Sequence, residues 1–514
     1  MDHYIEQYFR TINAGIWPYV ASAIAVYAIY MLASFSSPKS RGAEARDGSE
    51  EPTVSILIPS FNEEEGLPSL VDSVARQTYG PVELVIADDG STDDSFAVLS
   101  SLVPLSRSEV LPESRVALKG EVNEVWRGET GHVQLTVVRK NNAKSRADAL
   151  NAAFSYATGD LCFSTDADSI LDPHTVERLV ASVTAEELGA GGSLMALNGC
   201  EYRDGAIFDF RLPSKWVERF QAVEYMRAFW VGRRAWRALQ IQPNVSGASN
   251  MWRAADLDAI GGWNPDTHGE DQDVAMRMMA RRGPRKERAN DAGSSPWRVE
   301  YDDRATIWTE VPGSWKVLAR QRMRWSRGAV DACWLNRRLA FNRSTGRFGS
   351  VTFPLFMLFE LAAPFAELLG LLSFAAGWYS GVMDRSLALT YIAVLYTLSV
   401  GMTWVGVARF VRSEPRARHW RTVAGALVVA ALEPLIYRPA HLWPRLVGSY
   451  QYLAGTGSWG EMVRQQREGS TLRAQLAASA SALNVRRLPF NALDEDLALS
   501  GDMELEAPRV WSRS

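Results

Sequence analysis

Charged residues are absent from Thr11 to Pro38 and from Ser386 to Ala408, and between Val351 and Val382 only Glu360 and Glu367 interrupt an apolar run. Each stretch exceeds the roughly 20 residues with which an α-helix crosses a bilayer, so each predicts a membrane span. The first is too long for a signal-peptide core and reads as a retained anchor. A fourth apolar stretch, Thr422 to Tyr437, continues to about Leu453 through Glu433, Pro434, Arg438, Pro439 and Pro444. One kinked span, a span with a half-span, and a hairpin all satisfy that pattern.

Between the first two apolar runs the periodicity changes. From Glu51 to about Glu310, short β-branched runs alternate with helical stretches, which predicts an α/β domain with a Rossmann-like, mostly parallel sheet. Thr53 to Pro59, Val82 to Ala87, Leu135 to Val138 and Leu161 to Thr165 read as strands. Ligands of such sheets gather at the carboxyl ends of the strands. Asp88-Asp89-Gly90-Ser91 and Asp166-Ala167-Asp168 fall there. Residues 101–130 and Arg281 to Pro296 lack a clear period and read as surface insertions, and the tail beyond Arg464 reads as partly disordered. The expected organisation is an anchor and linker over 1–50, the α/β domain over 51–310, amphipathic interface helices over 311–350, transmembrane helices over 351–455 and a cytosolic tail over 456–514.

Charge refines this picture. With 55 basic and 59 acidic residues the net charge is -4, which gives no reason to expect nucleic acid as a partner. Lys39, Arg41 and Arg46 follow the first apolar run, and Arg409, Arg412, Arg416, Arg418 and Arg421 follow the third. Both loops, and the polar middle of the chain, are therefore expected on the cytoplasmic side. Lys316, Arg320, Arg322, Arg324, Arg327, Arg337, Arg338, Arg343 and Arg347 crowd the segment before the second run, as expected of helices lying on an anionic inner leaflet. Cys162, Cys200 and Cys333 lack metal-ligand spacing and are expected to pack as ordinary apolar residues. Glu360 and Glu367 are seven apart, hence on one helix face, and either line a wet channel or lie in headgroup water.

Four clusters carry candidate chemistry. Asp166 and Asp168, two apart at a strand end, can both reach a hard divalent cation that also touches a diphosphate. Asp88 and Asp89 are placed to accept hydrogen bonds from a nucleobase and ribose, or to cap an Asx-turn. Glu270-Asp271 opens a helix, where a carboxylate either caps the helix or serves as a base on an acceptor hydroxyl. In Gln321-Arg322-Met323-Arg324-Trp325, helical spacing turns Gln321, Arg324 and Trp325 to one side. An amide, a guanidinium and an indole together suit a phosphorylated, sugar-bearing ligand.

Ile56-Leu57-Ile58-Pro59-Ser60-Phe61-Asn62-Glu63, Asp88-Asp89-Gly90-Ser91-Thr92-Asp93, Thr165-Asp166-Ala167-Asp168-Ser169, Ser246-Gly247-Ala248, Gly269-Glu270-Asp271 and Gln321-x-x-Arg324-Trp325 occur in fixed order. In this order and spacing the chain resembles the membrane-embedded family-2 glycosyltransferases, the processive synthases of cellulose, chitin, hyaluronan and poly-N-acetylglucosamine. The resemblance implies a GT-A fold and a nucleotide-sugar donor, most often a UDP-sugar, used with Mg2+ or Mn2+. By the same resemblance Asp88 and Asp89 hold the nucleoside, Asp166 the nucleotide and the metal, Asp168 the metal, and Arg146 adds charge for the donor. Asp271 is the implied general base, with Glu270 shaping the acceptor pocket. Gln321 and Arg324 grip the diphosphate, while Trp325, Ser246 and Gly247 meet the acceptor.

Two departures from the family pattern stand out. Ser145-Arg146 replaces the usual Gly-Lys, and Gly269 stands where cellulose synthases carry Thr. The run through Gly328 is more similar to the poly-N-acetylglucosamine and hyaluronan groups. The expected activity is therefore inverting polymerisation of a β-linked polysaccharide from UDP-GlcNAc or a related UDP-hexose, with translocation across the inner membrane. The rival expectation is a nonprocessive membrane transferase adding one sugar to a lipid or small acceptor. Expected partners are the donor, the growing polysaccharide, the lipid bilayer and an accessory secretion protein. A catalytically dead scaffold would lack the acids, and all of them are present.

Overall fold

The computed structural model describes residues 21–36, 51–109, 114–183, 187–203, 205–280, 298–381 and 383–455. The catalytic-type domain is built on β1 (Val54–Ser60), β2 (Val82–Asp88), β3 (Ser106–Arg107), β4 (Val122–Thr130), β5 (Val133–Lys140), β6 (Leu161–Ser164), β7 (Ile170–Leu171), β8 (Glu187–Ala196), β9 (Cys200–Arg203), β10 (Ala206–Phe210), β11 (Asn250–Arg253) and β12 (Arg298–Thr309). Ten of these form one sheet in the order β3-β4-β5-β2-β1-β6-β11-β8-β12-β7, and β9 pairs with β10 apart from it.

The predicted strands are the parallel centre of this sheet: β5, β2, β1 and β6 run together. Their near-continuous apolar runs are buried on both faces, as the middle of a parallel sheet requires. The flanks are mixed. The antiparallel strand β11 joins β6 to β8, and β8 pairs in parallel with β12. The expected insertion over 101–130 contributes β3 and β4 to the sheet edge instead of only surface loop. Exposed and half-buried positions dominate β4, whose charges blurred its strand signal.

The helices are α1 (Ala21–Phe35), α2 (Leu67–Ala75), α3 (Ser95–Leu102), α4 (Arg146–Ser155), α5 (Thr175–Ser182), α6 (Trp216–Arg227), α7 (Arg234–Leu239), α8 (Ala254–Ala259), α9 (Glu270–Ala280), α10 (Trp315–Leu335), α11 (Phe353–Phe356), α12 (Ala363–Ser380), α13 (Arg385–Ser413) and α14 (Trp420–Leu453). A single π-helical turn, Ala228–Arg233, joins α6 to α7. By length and composition α13 and α14 can each cross a membrane. A third span is available if the bent pair 348–361 and α12 counts as one.

Where a span was expected from Val351 to Val382, the structure has this bent pair. It bends by 44° near Ala362, and π-helical turns flank α11. Pro364, near the start of α12, has no N–H to continue the preceding ladder. The ambiguous last stretch resolves as one continuous helix, α14, with Pro434, Pro439 and Pro444 inside it. Of the predicted anchor, α1 is a 15-residue helix; residues 11–20 and 37–38 lie outside the described part. So do Lys39, Arg41, Arg46, the Arg281 to Pro296 insertion and the tail beyond 455.

Buried polar contacts tie the apolar helices to the α/β domain. Trp230 Nε1 donates to Ser413 Oγ at 2.7 Å, and Arg227 Nη2 reaches the fully buried Glu433 Oε1 of α14 at 3.0 Å. Between α13 and α14, Arg416 Nη2 pairs with Asp172 Oδ2 at 2.6 Å and Nη1 donates to the Ile207 carbonyl at 2.9 Å. Two members of the basic segment also depart from expectation. Arg322 and Arg327 are buried in protein instead of facing lipid; Arg322 pairs with Glu224 of α6 and reaches Tyr437 of α14. The three cysteines are free thiols, with Cys162 and Cys333 buried.

Candidate active site

Asp88 closes β2, and its Oδ1 accepts from Ser91 N at 2.8 Å, so the Asx-turn alternative is realised. Its Oδ2 faces Arg139 Nε at 3.4 Å. Asp89 is held by the Nζ of Lys140, whose side chain is fully buried and also pairs with Asp148 Oδ2 at 2.8 Å. Burial pushes the Asp89 carboxyl above its usual range, and the Lys140 charge only partly offsets this. Both acids thus fasten neighbouring loops to the strand ends. Lys140 escaped the sequence reading because a lysine closing a strand carries no motif; only its place between two acid clusters signals it.

Asp166 and Asp168 occupy the turn after β6 and are partly exposed. Arg146, the first residue of α4, clasps Asp166 Oδ1 through Nε at 3.1 Å and Nη2 at 2.7 Å. The same guanidinium reaches Glu270 Oε1 at 3.0 Å and the Gly247 carbonyl at 3.1 Å. Ser145 caps α4 by accepting from Asp148 N, which fixes where the arginine emerges. Burial alone would depress the Arg146 pKa, but Asp166 and Glu270 outweigh it and hold the guanidinium protonated. Asp168 Oδ1 accepts from Thr309 Oγ1, at the end of β12, at 3.4 Å.

Asp271 lies in the first turn of α9. Its Oδ2 accepts from Gly247 N at 3.1 Å and its Oδ1 from Gln272 N at 2.8 Å. Burial, and then the adjacent Glu270 charge, raise its pKa to about 6, while Arg146 pulls the other way. A carboxylate poised there takes a proton near neutrality far more readily than a solvated aspartate. Asp166, Arg146, Gly247, Glu270 and Asp271 therefore form one contiguous network.

The start of α9 is pressed onto α10. A Cβ on Gly269 would lie 2.4 Å from the Gly328 carbonyl oxygen, so only glycine permits this approach. Thr267 Oγ1 and His268 N both donate to Asp331 Oδ2, at 2.8 and 2.9 Å, and tie the same two elements together. The departure from Thr at position 269 thus has a packing cause. On α10 Gln321 is buried, and its Oε1 has no hydrogen-bond partner among the described residues. Arg324 is partly exposed, and Trp325 is 41% exposed. Ser246 and Gly247 lie in the loop before β11, with Gly247 against Arg146 and Asp271.

Among the described residues no group of three or more His, Cys, Asp or Glu side chains is arranged to hold a metal ion. Two residues outside the predicted set belong to this region. Arg233, in the π-helical turn, donates to the Asn244 carbonyl at 3.0 Å and lowers the Asp271 pKa by its charge. Glu224 of α6 pairs with Arg322 at 2.5 Å.

Residues 55–236 match the family described as glycosyl transferase family 2, and residues 164–404 match glycosyl transferase family group 2. A probable glycosyltransferase of Bacillus subtilis is 22% identical over 54% of this chain and 56% of its own length. An N-acetylglucosaminyltransferase of Rhizobium leguminosarum is 24% identical, over 54% of this chain and 55% of its own length. A poly-beta-1,6-N-acetyl-D-glucosamine synthase of Staphylococcus epidermidis is 22% identical over the same shares. The chain thus spans about half the length of the curated relatives it matches. A solved mannosyltransferase of Pyrobaculum calidifontis, in complex with GDP-Man and Mn2+, superposes with TM-score 0.50 and 18% identity, covering 84% of this chain and 99% of that one. That likeness identifies the fold as GT-A.

Proposed function

We propose, from the premise that this chain is an inverting-type family-2 glycosyltransferase, that it extends a β-linked polysaccharide from a UDP-sugar and threads the product through its own spans. The observation that carries this reading is the Asp271 carboxylate, raised to about 6 and locked by Gly247 N beside the Arg146 clasp. In the transfer the acceptor hydroxyl gives its proton to Asp271 while its oxygen attacks the anomeric carbon. The bond from that carbon to the diphosphate breaks on the opposite face, and UDP leaves with the electron pair. Arg324 and the amide of Gln321 steady the diphosphate. Trp325 offers its indole face to the acceptor sugar.

Divalent metal fits the donor set. Asp166 and Asp168 supply hard carboxylate oxygens on one exposed turn, and with no third acid among the described residues the remaining ligands fall to the donor phosphates and water. These two residues would hold Mg2+ or Mn2+, which when bound neutralises charge on the departing diphosphate. Asp88 and Asp89 would border the nucleoside from the neighbouring strand ends.

Support for N-acetylglucosamine as the sugar comes from the relatives named for it. Support for a multi-pass inner-membrane enzyme with a cytoplasmic catalytic domain comes from the apolar helices and from the basic loop around Arg416, which packs against that domain. Incubating purified membranes with a panel of radiolabelled UDP-sugars tests the reading. It predicts polymer from one sugar, long even at limiting enzyme. Single-sugar products throughout would instead favour the nonprocessive transferase.

A further inference from the structure

Arg322 occupies an unassigned position within the Gln-Arg-Met-Arg-Trp run, and it is buried. Its guanidinium carbon sits 4.3 Å from the centre of the Trp325 ring. On its other side Nη2 meets Glu224 Oε2 at 2.5 Å and Tyr437 Oη at 3.2 Å. Tyr437 Oη donates to the same Glu224 oxygen at 2.7 Å, closing a three-residue ring across α6, α10 and α14. Phe220 stacks on Tyr437 at 5.4 Å and seals it. Close by, a Cβ on Gly448 would meet the Met323 carbonyl oxygen at 2.3 Å, and Ser326 Oγ donates to the Arg445 carbonyl at 2.8 Å. The half of α10 that carries Trp325 is thereby fixed to α14.

We propose that Arg322 is a positioning residue for the acceptor: anchored by Glu224 and Tyr437, it holds the Trp325 indole flat and couples that platform to the membrane helix α14. A cation over an indole restrains ring rotation, and here the cation is itself immobilised from the far side. Lysine can keep the charge and the Glu224 pair, but it has no planar fork to lie along the ring. The inference rests on the acceptor-platform reading of Trp325.

The test is a double-mutant cycle on the full-length protein in nanodiscs, with UDP-N-acetylglucosamine as donor and chitotetraose as added acceptor. Arg322→Lys is expected to raise the acceptor KM at least tenfold and shorten products, with the donor KM moving less than twofold. Added to Trp325→Ala it should cause little further loss. If Trp325→Ala itself leaves acceptor use unchanged, the platform reading fails. If Trp325→Ala impairs acceptor use but the Arg322→Lys effect is absent, or multiplies fully with it, the positioning role fails while the platform stands. A substrate-free readout accompanies the cycle: with 5-fluorotryptophan label, the 19F resonance lost in Trp325→Phe should shift or broaden in Arg322→Lys and in Tyr437→Phe. An unmoved resonance overturns the proposal even if no donor turns over.

Discussion

A single carboxylate sets the chemistry at the scale of the residue. Asp271 must be ionised to accept the acceptor proton, so kcat/KM is expected to fall with unit slope as pH drops through about 6. Because Glu270 raises that pKa and Arg146 lowers it, Glu270→Gln should move the acid limb to lower pH and Arg146→Gln to higher pH. Equal shifts in one direction, read from pH-rate profiles, would contradict this electrostatic arrangement. Asp271→Asn should cost about 10²–10⁴-fold in kcat with little change in donor KM, the usual worth of a general base. The acids were legible from their strand-end and helix-start positions. Arg146 was legible only as retained charge, since its three-way clasp depends on Asp166, Gly247 and Glu270 being brought together from distant parts of the chain. Lys140 was hidden because a buried cation without a motif looks like a surface residue in sequence, and Arg322 because the expected face of its run holds Gln321, Arg324 and Trp325 instead.

Two contacts between elements decide whether that site is assembled. The Gly269–Gly328 approach joins α9 to α10, and Gly269→Thr should destabilise the fold by about 1–3 kcal/mol through overpacking. Thermal unfolding measures this loss, and an unchanged Tm would show that the helices yield without strain. Helix α14 also gathers the two glutamates of the broken second segment: Arg445 lies 3.4 Å from Glu360 and 3.8 Å from Glu367. The seven-residue spacing predicted one face, and although the helix bends between them, the shared arginine keeps them together. Glu360→Gln with Glu367→Gln should leave sugar transfer intact and reduce export; normal export would remove the channel role. The bend itself was illegible, since an apolar run with two prolines, Pro354 and Pro364, reads equally well as a straight span.

Across the whole molecule, the catalytic domain and its membrane helices share buried polar ties. The Arg416–Asp172 pair binds the α13–α14 connection to the α/β domain, and Arg416→Ala is expected to lose about 1.5–3 kcal/mol, as for hydrogen bonds to charged groups. A Tm unchanged in detergent would make that pair incidental. The central parallel strands and the long apolar runs were readable because burial on both faces, in a sheet or in lipid, writes an uninterrupted apolar signal. The antiparallel flanks were not, because β4 shows mostly alternating exposure and its partner β3 is only two residues long.

The most direct test places the full-length protein in sealed vesicles, active site outward, with radiolabelled UDP-N-acetylglucosamine and Mg2+ or Mn2+. The predicted result is UDP release accompanied by long labelled polymer inside the vesicles, both lost in Asp271→Asn. Full turnover by Asp271→Asn, or label found only as single sugars on lipid, would contradict it.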